Sequence, residues 1–253
     1  MHNLILEKIE NNFSQFWMKF KMNDGIRFEE RSQLRWIALP SMQRVLYSQI
    51  ECEKELTETM SILKQVGGKW EWILNPSTQT KSLASFLKRQ SFSKTKILTC
   101  MALERSRLKE IRFQPNFAYR KVENLEDLKV WISTASSVYR FIDEQQSLYL
   151  KTFTNSLLSL TDFEFYIGYI DQKPAVTTLL FRPENGVCGI YLVATIEEER
   201  KKGLASTLLH ELICHKIDPN EIVILQSTEK GKNVYLSLGF QDYGVMDIFQ
   251  GSF

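Results

Sequence analysis

Apolar residues at Leu4, Ile5, Ile9, Phe13, Phe16 and Trp17 recur at helical spacing and predict a helix over 4–20. The short apolar runs Trp36–Pro40 and Val45–Ser48 read as strands or strand fragments. Glu53 to Val66 reads as an amphipathic helix stopped by Gly67-Gly68. Trp70–Leu74 is a strand. Asn75-Pro76-Ser77-Thr78 has turn chemistry and a helix cap, the helix Lys81 to Gln90 follows, and Ile97 to Leu103 closes the series as a strand.

A fuller series occupies the second part. Phe117–Val122 is a strand, Asn124 caps a helix running to Tyr139, and Gln146 to Leu160 is a second helix. Phe163–Ile170 and Pro174–Phe181 form a hairpin turned by Asp171-Gln172-Lys173. Gly189–Thr195 is entered through a turn at Glu184-Asn185-Gly186. Lys202 to Lys216 places Leu204, Leu208, Leu209, Leu212 and Ile213 at helical spacing, until Asp218-Pro219-Asn220 breaks it. Glu221–Gln226 is a strand, Gly231–Leu238 a short helix stopped by Gly239, and Tyr243–Phe249 the last strand. This order packs naturally as an α/β structure, a mixed sheet flanked by helices.

The charged stretch Leu103–Glu110 is the clearest seam, so the expected domains are 1–110 and 111–253. The halves share a faint pattern of strand, turn, helix and Phe, in Trp70–Phe92 and again in Ile222–Phe240.

Composition changes this picture little. Of 253 residues 43% are apolar and 25% charged, enough for packed cores, and the net charge of +2 gives no argument for a nucleic-acid or membrane partner. Cys52, Cys100, Cys188 and Cys214 have no metal-like spacing, so no metal site is expected. They read as free thiols of a reducing compartment such as the cytoplasm. No signal peptide or membrane-crossing run is evident.

Candidate chemistry gathers in the segment GIYLVATIEEERKKGLASTLL, Gly189 to Leu209. A strand runs into a loop that opens a helix, and the first amides of a helix lack partners and carry the positive dipole end. Arg200, Lys201 and Lys202 add charge, while Gly203 and Ala205 let the backbone come close to an anion of phosphate type.

Arg-x-x-Gly-x-Ala after a strand resembles the pyrophosphate-binding motif of the GNAT superfamily, the Gcn5-related N-acetyltransferases. Gly189–Thr195 resembles its central strand, Leu225–Thr228 its fifth strand, and Tyr235–Phe240 its Y-x-x-L-G-F segment, all in the family's order. The resemblance covers residues 115–253. Glu197-Glu198-Glu199 departs from it, because a proline often stands at position 197 and three carboxylates facing inward would repel a diphosphate.

The resemblance implies a GNAT-like fold with a mostly antiparallel mixed sheet. It implies acetyl-CoA as cosubstrate, held by Arg200, Lys201, Lys202, Gly203, Leu204 and Ala205. The backbone of Leu192 and Val193 would pair with the pantetheine arm, and one of these amides would polarise the thioester. Asn233 would line the arm. Tyr235 matches the tyrosine that in many members returns a proton to the departing thiolate. The acceptor would be a small-molecule or peptide amine, and the protein a monomer or homodimer. No general base is legible: Glu164, Tyr166, Tyr191 and Thr195 are expected on strands bordering the cleft, and Asp143 and Glu144 in the loop where the family builds its acceptor site. In the first half, Trp70–Leu74, Asn75–Thr78, the following helix and Met101–Glu104 resemble, more faintly, a degenerate GNAT-like unit without the cofactor motif, the alternative being an unrelated α+β lid. An alternative reading is an acyl-CoA-binding sensor or scaffold that performs no transfer.

Overall fold

The computed structural model describes residues 2–50, 52–159, 162–183 and 186–253. The chain forms two compact units, one comprising Met1–Cys100 with Tyr243–Phe253, the other Met101–Asp242. The terminal strand, which the sequence reading gave to the second domain, therefore packs with the first unit. A strand was expected at Tyr243–Phe249, but a strand's local pattern says nothing about which strand it pairs with.

The first unit opens with α1 (His2–Met18), which buries Ile5, Ile9, Phe13 and Phe16 and tightens into a 3₁₀ turn at Lys19–Met22. Strands β1 (Arg27–Glu30), β2 (Leu34–Leu39) and β3 (Met42–Ser48) precede α2 (Glu53–Val66). β4 (Lys69–Leu74), α3 (Lys81–Arg89) and β5 (Ser93–Glu104) follow. Thr80 caps α3 by accepting from the Leu83 amide. The strand order is β1-β2-β3-β4-β11-β5, with β11 (Gln241–Ser252) antiparallel to β4 from Asp247 opposite Leu74 to Ser252 opposite Lys69. One face packs Trp36, Trp70, Trp72, Leu63, Phe86 and Phe249. β1 was not predicted: three of its four residues are exposed, so it carries no burial pattern.

In the second unit β6 (Phe117–Lys121), α4 (Leu125–Tyr139) and α5 (Asp143–Ser159) lead to β7 (Phe163–Ile170), β8 (Lys173–Phe181) and β9 (Val187–Thr195). After these come α6 (Leu204–His215), β10 (Ile222–Ser227) and α7 (Glu229–Leu238). The order is β10-β9-β8-β7-β6, antiparallel throughout except that β10 runs parallel to β9. Asp171 and Gln172 turn the β7–β8 hairpin with φ of 47° and 66°, the left-handed pair that a tight two-residue turn requires. The expected turn at Glu184-Asn185-Gly186 and the expected helix end at Leu160 lie partly outside the described residues.

α6 packs Leu204, Leu208, Leu212 and Ile213 on Val176, Leu180, Ile190, Val223 and Leu225. α4 lies on the sheet through Trp131, whose indole N–H donates to the Thr178 carbonyl at 3.0 Å and whose ring meets Phe153 and Phe165 edge-on. Among the described residues no helix is long and apolar enough to cross a membrane.

Candidate functional site

Two parallel strands part company in the second unit. β9 and β10 pair at Val187–Ile222, Cys188–Val223 and Gly189–Ile224, and the ladder then stops while β9 runs on to Thr195 and β10 to Ser227. On its other side β9 slips register against β8 between Thr177 and Leu179. Leu192 takes φ +50° there, a left-handed conformation that is costly for a branched residue and marks a bulge. Three consecutive carbonyls at the bulge are taken by hydroxyls. Thr178 Oγ1 donates to Tyr191 O at 3.3 Å, Thr177 Oγ1 to Leu192 O at 3.3 Å, and Tyr139 Oη to Val193 O at 2.8 Å. With its acceptors occupied from within, the bulge can offer a ligand chiefly N–H donors.

β9 leads through a 3₁₀ turn at Glu197–Glu199 into the loop before α6. Lys201 and Gly203 both adopt left-handed φ, 62° and 78°, and Gly203 is the N-cap of α6 with no side-chain cap bond. The first amides of α6 are thus left to whatever approaches them. The demand for glycine at 203 comes from the backbone, since a Cβ there would meet only Gln114 Nε2 at 3.4 Å. Arg200 turns back to donate to Thr195 O at 3.2 Å, and Lys202 pairs with Glu199 at 3.0 Å. Glu197 and Glu198 are exposed. One carboxylate of the triple glutamate is thus neutralised locally, and the other two sit in water where screening is strong.

Tyr235, on α7, packs edge-on against Phe240 at 5.8 Å and leaves its hydroxyl without a hydrogen-bond partner among the described residues. Burial pushes its pKa up to about 12. Tyr139 is its electrostatic neighbour. Tyr139 as a residue is 43% exposed, but its hydroxyl lies against Val193, where burial first and Tyr235 second hold it in the neutral form. Two neutral phenols therefore stand near one bulge. Asn233 does not join Tyr235: it is exposed and two residues away, about 200° around the helix. Gly231 shares the tyrosine's face, with Tyr235 Cε2 3.5 Å from where its Cβ would be.

The residues considered as a base are not gathered here. Glu164 lies at the start of β7 and pairs with Arg182 at 2.5 Å and Lys121 at 3.0 Å. Burial raises its pKa, but the Tyr166 hydroxyl, Arg182 and Lys121 outweigh that and hold it below the usual carboxylate range. Arg182 also binds Glu221 and the Lys216 carbonyl past the end of α6, so this cluster sits at the opposite end of α6 from Gly203. Tyr166 and Tyr191 are buried, Thr195 is half-buried, and Asp143 and Glu144 are exposed at the start of α5.

Two site residues were missed by sequence reasoning. Tyr139 lies 54 positions from the carbonyl it binds, and nothing in its helix marks it. Gln226 lies on β10 beyond the last β9 pair, and its buried amide nitrogen has no partner among the described residues. An orphaned donor beside the splay is the kind of group a bound amide carbonyl would satisfy. Among the described residues no group of three or more His, Cys, Asp or Glu side chains is placed to hold a metal ion.

No family model matches the sequence, and comparison with curated proteins finds no relative. Solved structures do match over nearly the whole chain. A GCN5-related N-acetyltransferase from Kribbella flavida aligns with TM-score 0.68 and 12% identity, covering 96% of this chain and 94% of its own. A functionally unknown conserved protein from Staphylococcus epidermidis aligns with TM-score 0.69 and 15% identity, covering 94% and 98%. A tandem GNAT protein from the clavulanic acid biosynthesis pathway aligns with TM-score 0.62 and 12% identity, covering 99% and 95%. The fold is that of the GNAT superfamily in a two-unit layout.

Proposed function

We propose that this chain, a two-unit GNAT fold, is an acyltransferase that moves an acetyl group from acetyl-CoA to a small-molecule or peptide amine in its second unit. The observation that carries the reading is the splay of β9 from β10 beside the Leu192 bulge, whose carbonyls are already occupied. A strand edge rich in donors suits a pantetheine arm and a thioester oxygen. The Lys201–Ala205 amides at the start of α6 suit the diphosphate. Arg200, Lys201 and Lys202 supply positive charge around that loop, and the Gln226 amide supplies one further donor for the arm.

In this account the neutral amine attacks the thioester carbon, forming the C–N bond. Charge builds on the carbonyl oxygen and is met by a bulge N–H, that of Val193, a donor fixed in place before the reaction begins. The C–S bond then breaks and the electron pair leaves on sulfur. Tyr235 donates a hydrogen bond to that sulfur. With a pKa near 12 it does not give its proton up outright, because transfer to a thiolate whose thiol has a pKa of about 8.5 is roughly a thousandfold uphill. The departing thiolate receives its proton from the attacking nitrogen, which is cationic in the tetrahedral intermediate and sheds one proton through water as it becomes the amide, so no carboxylate base is needed. Holding amine and thioester in line supplies much of the advantage.

The test is acceptor-dependent release of free thiol from acetyl-CoA across a panel of amines, with wild type and Tyr235→Phe compared. Turnover lowered by roughly 10²-fold in the variant is expected. Binding of acetyl-CoA with no thiol release on any amine would instead favour a sensor or scaffold.

A further inference from the structure

The first unit repeats the parting of two parallel strands and puts a different set of groups at the opening. β3 and β4 pair in parallel at Gln43–Trp70, Arg44–Glu71 and Val45–Trp72, and the ladder then stops. Here the chain closes its own gap, as Asn75 Nδ2 donates across it to Leu46 O at 2.9 Å. The helix that follows β3 begins with Glu53 and Glu55 in its first turn, which repel a diphosphate. In open sheets the crevice beyond the carboxyl ends of parallel strands is nevertheless a preferred place for ligands. Just there, a cavity of about 360 Å³ is lined by Glu10, Arg35, Tyr47, Gln49, Ser77 and Thr78, among others.

Two opposite charges in this cavity lack ionic partners. Glu10 is 4% exposed and accepts only from Ser77, through its amide at 2.9 Å and its hydroxyl. It forms no ion pair among the described residues, and burial raises its pKa. Arg35 is half-buried, spends one nitrogen on the neutral groups Asn11 Oδ1 at 3.1 Å and Ser14 Oγ at 3.4 Å, and stacks its guanidinium over Tyr47 at 5.5 Å. It too has no carboxylate among the described residues. A buried carboxylate without a cation is costly. An arginine fork without an anion is a site for a planar carboxylate. The two line one cavity yet do not pair with each other.

We propose that this cavity binds a small α-amino acid, its ammonium on Glu10 with Glu7 at the rim, and its carboxylate on Arg35 above Tyr47. The volume lies at the small end of ligand pockets and is enough to admit a free amino acid. The site is independent of acyl transfer and stands whether or not the second unit turns over an amine.

Calorimetric titration of the full chain with L-alanine, ethylamine and propionate tests it. Alanine should bind about tenfold or more tighter than either half-ligand, since each charged contact contributes at least a factor of ten. Glu10→Gln should weaken alanine about tenfold, and Arg35→Met should weaken alanine while leaving ethylamine unchanged. Thermal unfolding identifies any variant that fails to fold, and the three-ligand series on wild type decides the question without the variants. No alanine binding at tens of millimolar, equal affinity for all three probes, or unchanged affinity in folded variants would each overturn the proposal.

Discussion

At the residue scale, a few backbone angles and one phenol define the candidate site. Gly203 was legible in the sequence, but for a partly different reason: φ of +78° demands it, more than close approach to a ligand does. Gly203→Ala should cost about 1–2 kcal/mol from the left-handed conformation, read by chemical denaturation, and should weaken acetyl-CoA binding about tenfold. Tyr235 was legible from its motif, whereas its electrostatic neighbour Tyr139 was not, because that pair exists only once α4 packs on the sheet. The pH dependence follows from Tyr235. Its folded pKa lies above the ordinary tyrosine value, so the donating, protonated form persists to higher pH and is lost only as pH rises toward 12. The rate should therefore rise with pH as the amine deprotonates and show no alkaline fall up to about pH 10.5. An alkaline limb near pH 9 that disappears in Tyr235→Phe would contradict the assignment.

At the scale of elements, the long helices and the hairpin were readable because period and turn chemistry agree. α6 shows Leu204, Leu208 and Leu212 on one face, and these are the side chains buried against β8, β9 and β10. Leu208→Ala should therefore cost about 2–5 kcal/mol in denaturant unfolding; a loss under 1 kcal/mol would mean that the helix does not pack as described. The splay of β9 from β10 leaves no readable mark in the sequence. Leu192 is an ordinary leucine in a run of apolar residues, and only pairing to β8 on one side and the ended ladder to β10 on the other force it left-handed. β1 escaped notice because exposure removes the alternation on which strand prediction depends.

At the scale of the molecule, the two units place different groups where their parallel strands part. The second has the left-handed loop, the carbonyl-capped bulge and the free phenol. The first has an acidic helix start and a gap bridged by Asn75. That difference was partly legible, since the first half lacks the Arg-x-x-Gly-x-Ala pattern. The placing of the last strand was not, because β11 pairs with a strand about 170 residues earlier on the chain, a distance at which local pattern is silent. Ending the chain at Asp242 should strip Ile248 and Phe249 from the first unit and expose the edge of β4, so the shortened chain should lose cooperative unfolding of that unit and aggregate. The central claim, that one unit and not the other holds acetyl-CoA, is tested most directly by calorimetric titration of the full chain with acetyl-CoA. One site per chain is predicted, with a dissociation constant in the range of about 1 μM to 1 mM. No heat at millimolar acetyl-CoA would contradict cofactor binding, and two sites per chain would contradict the division between the units.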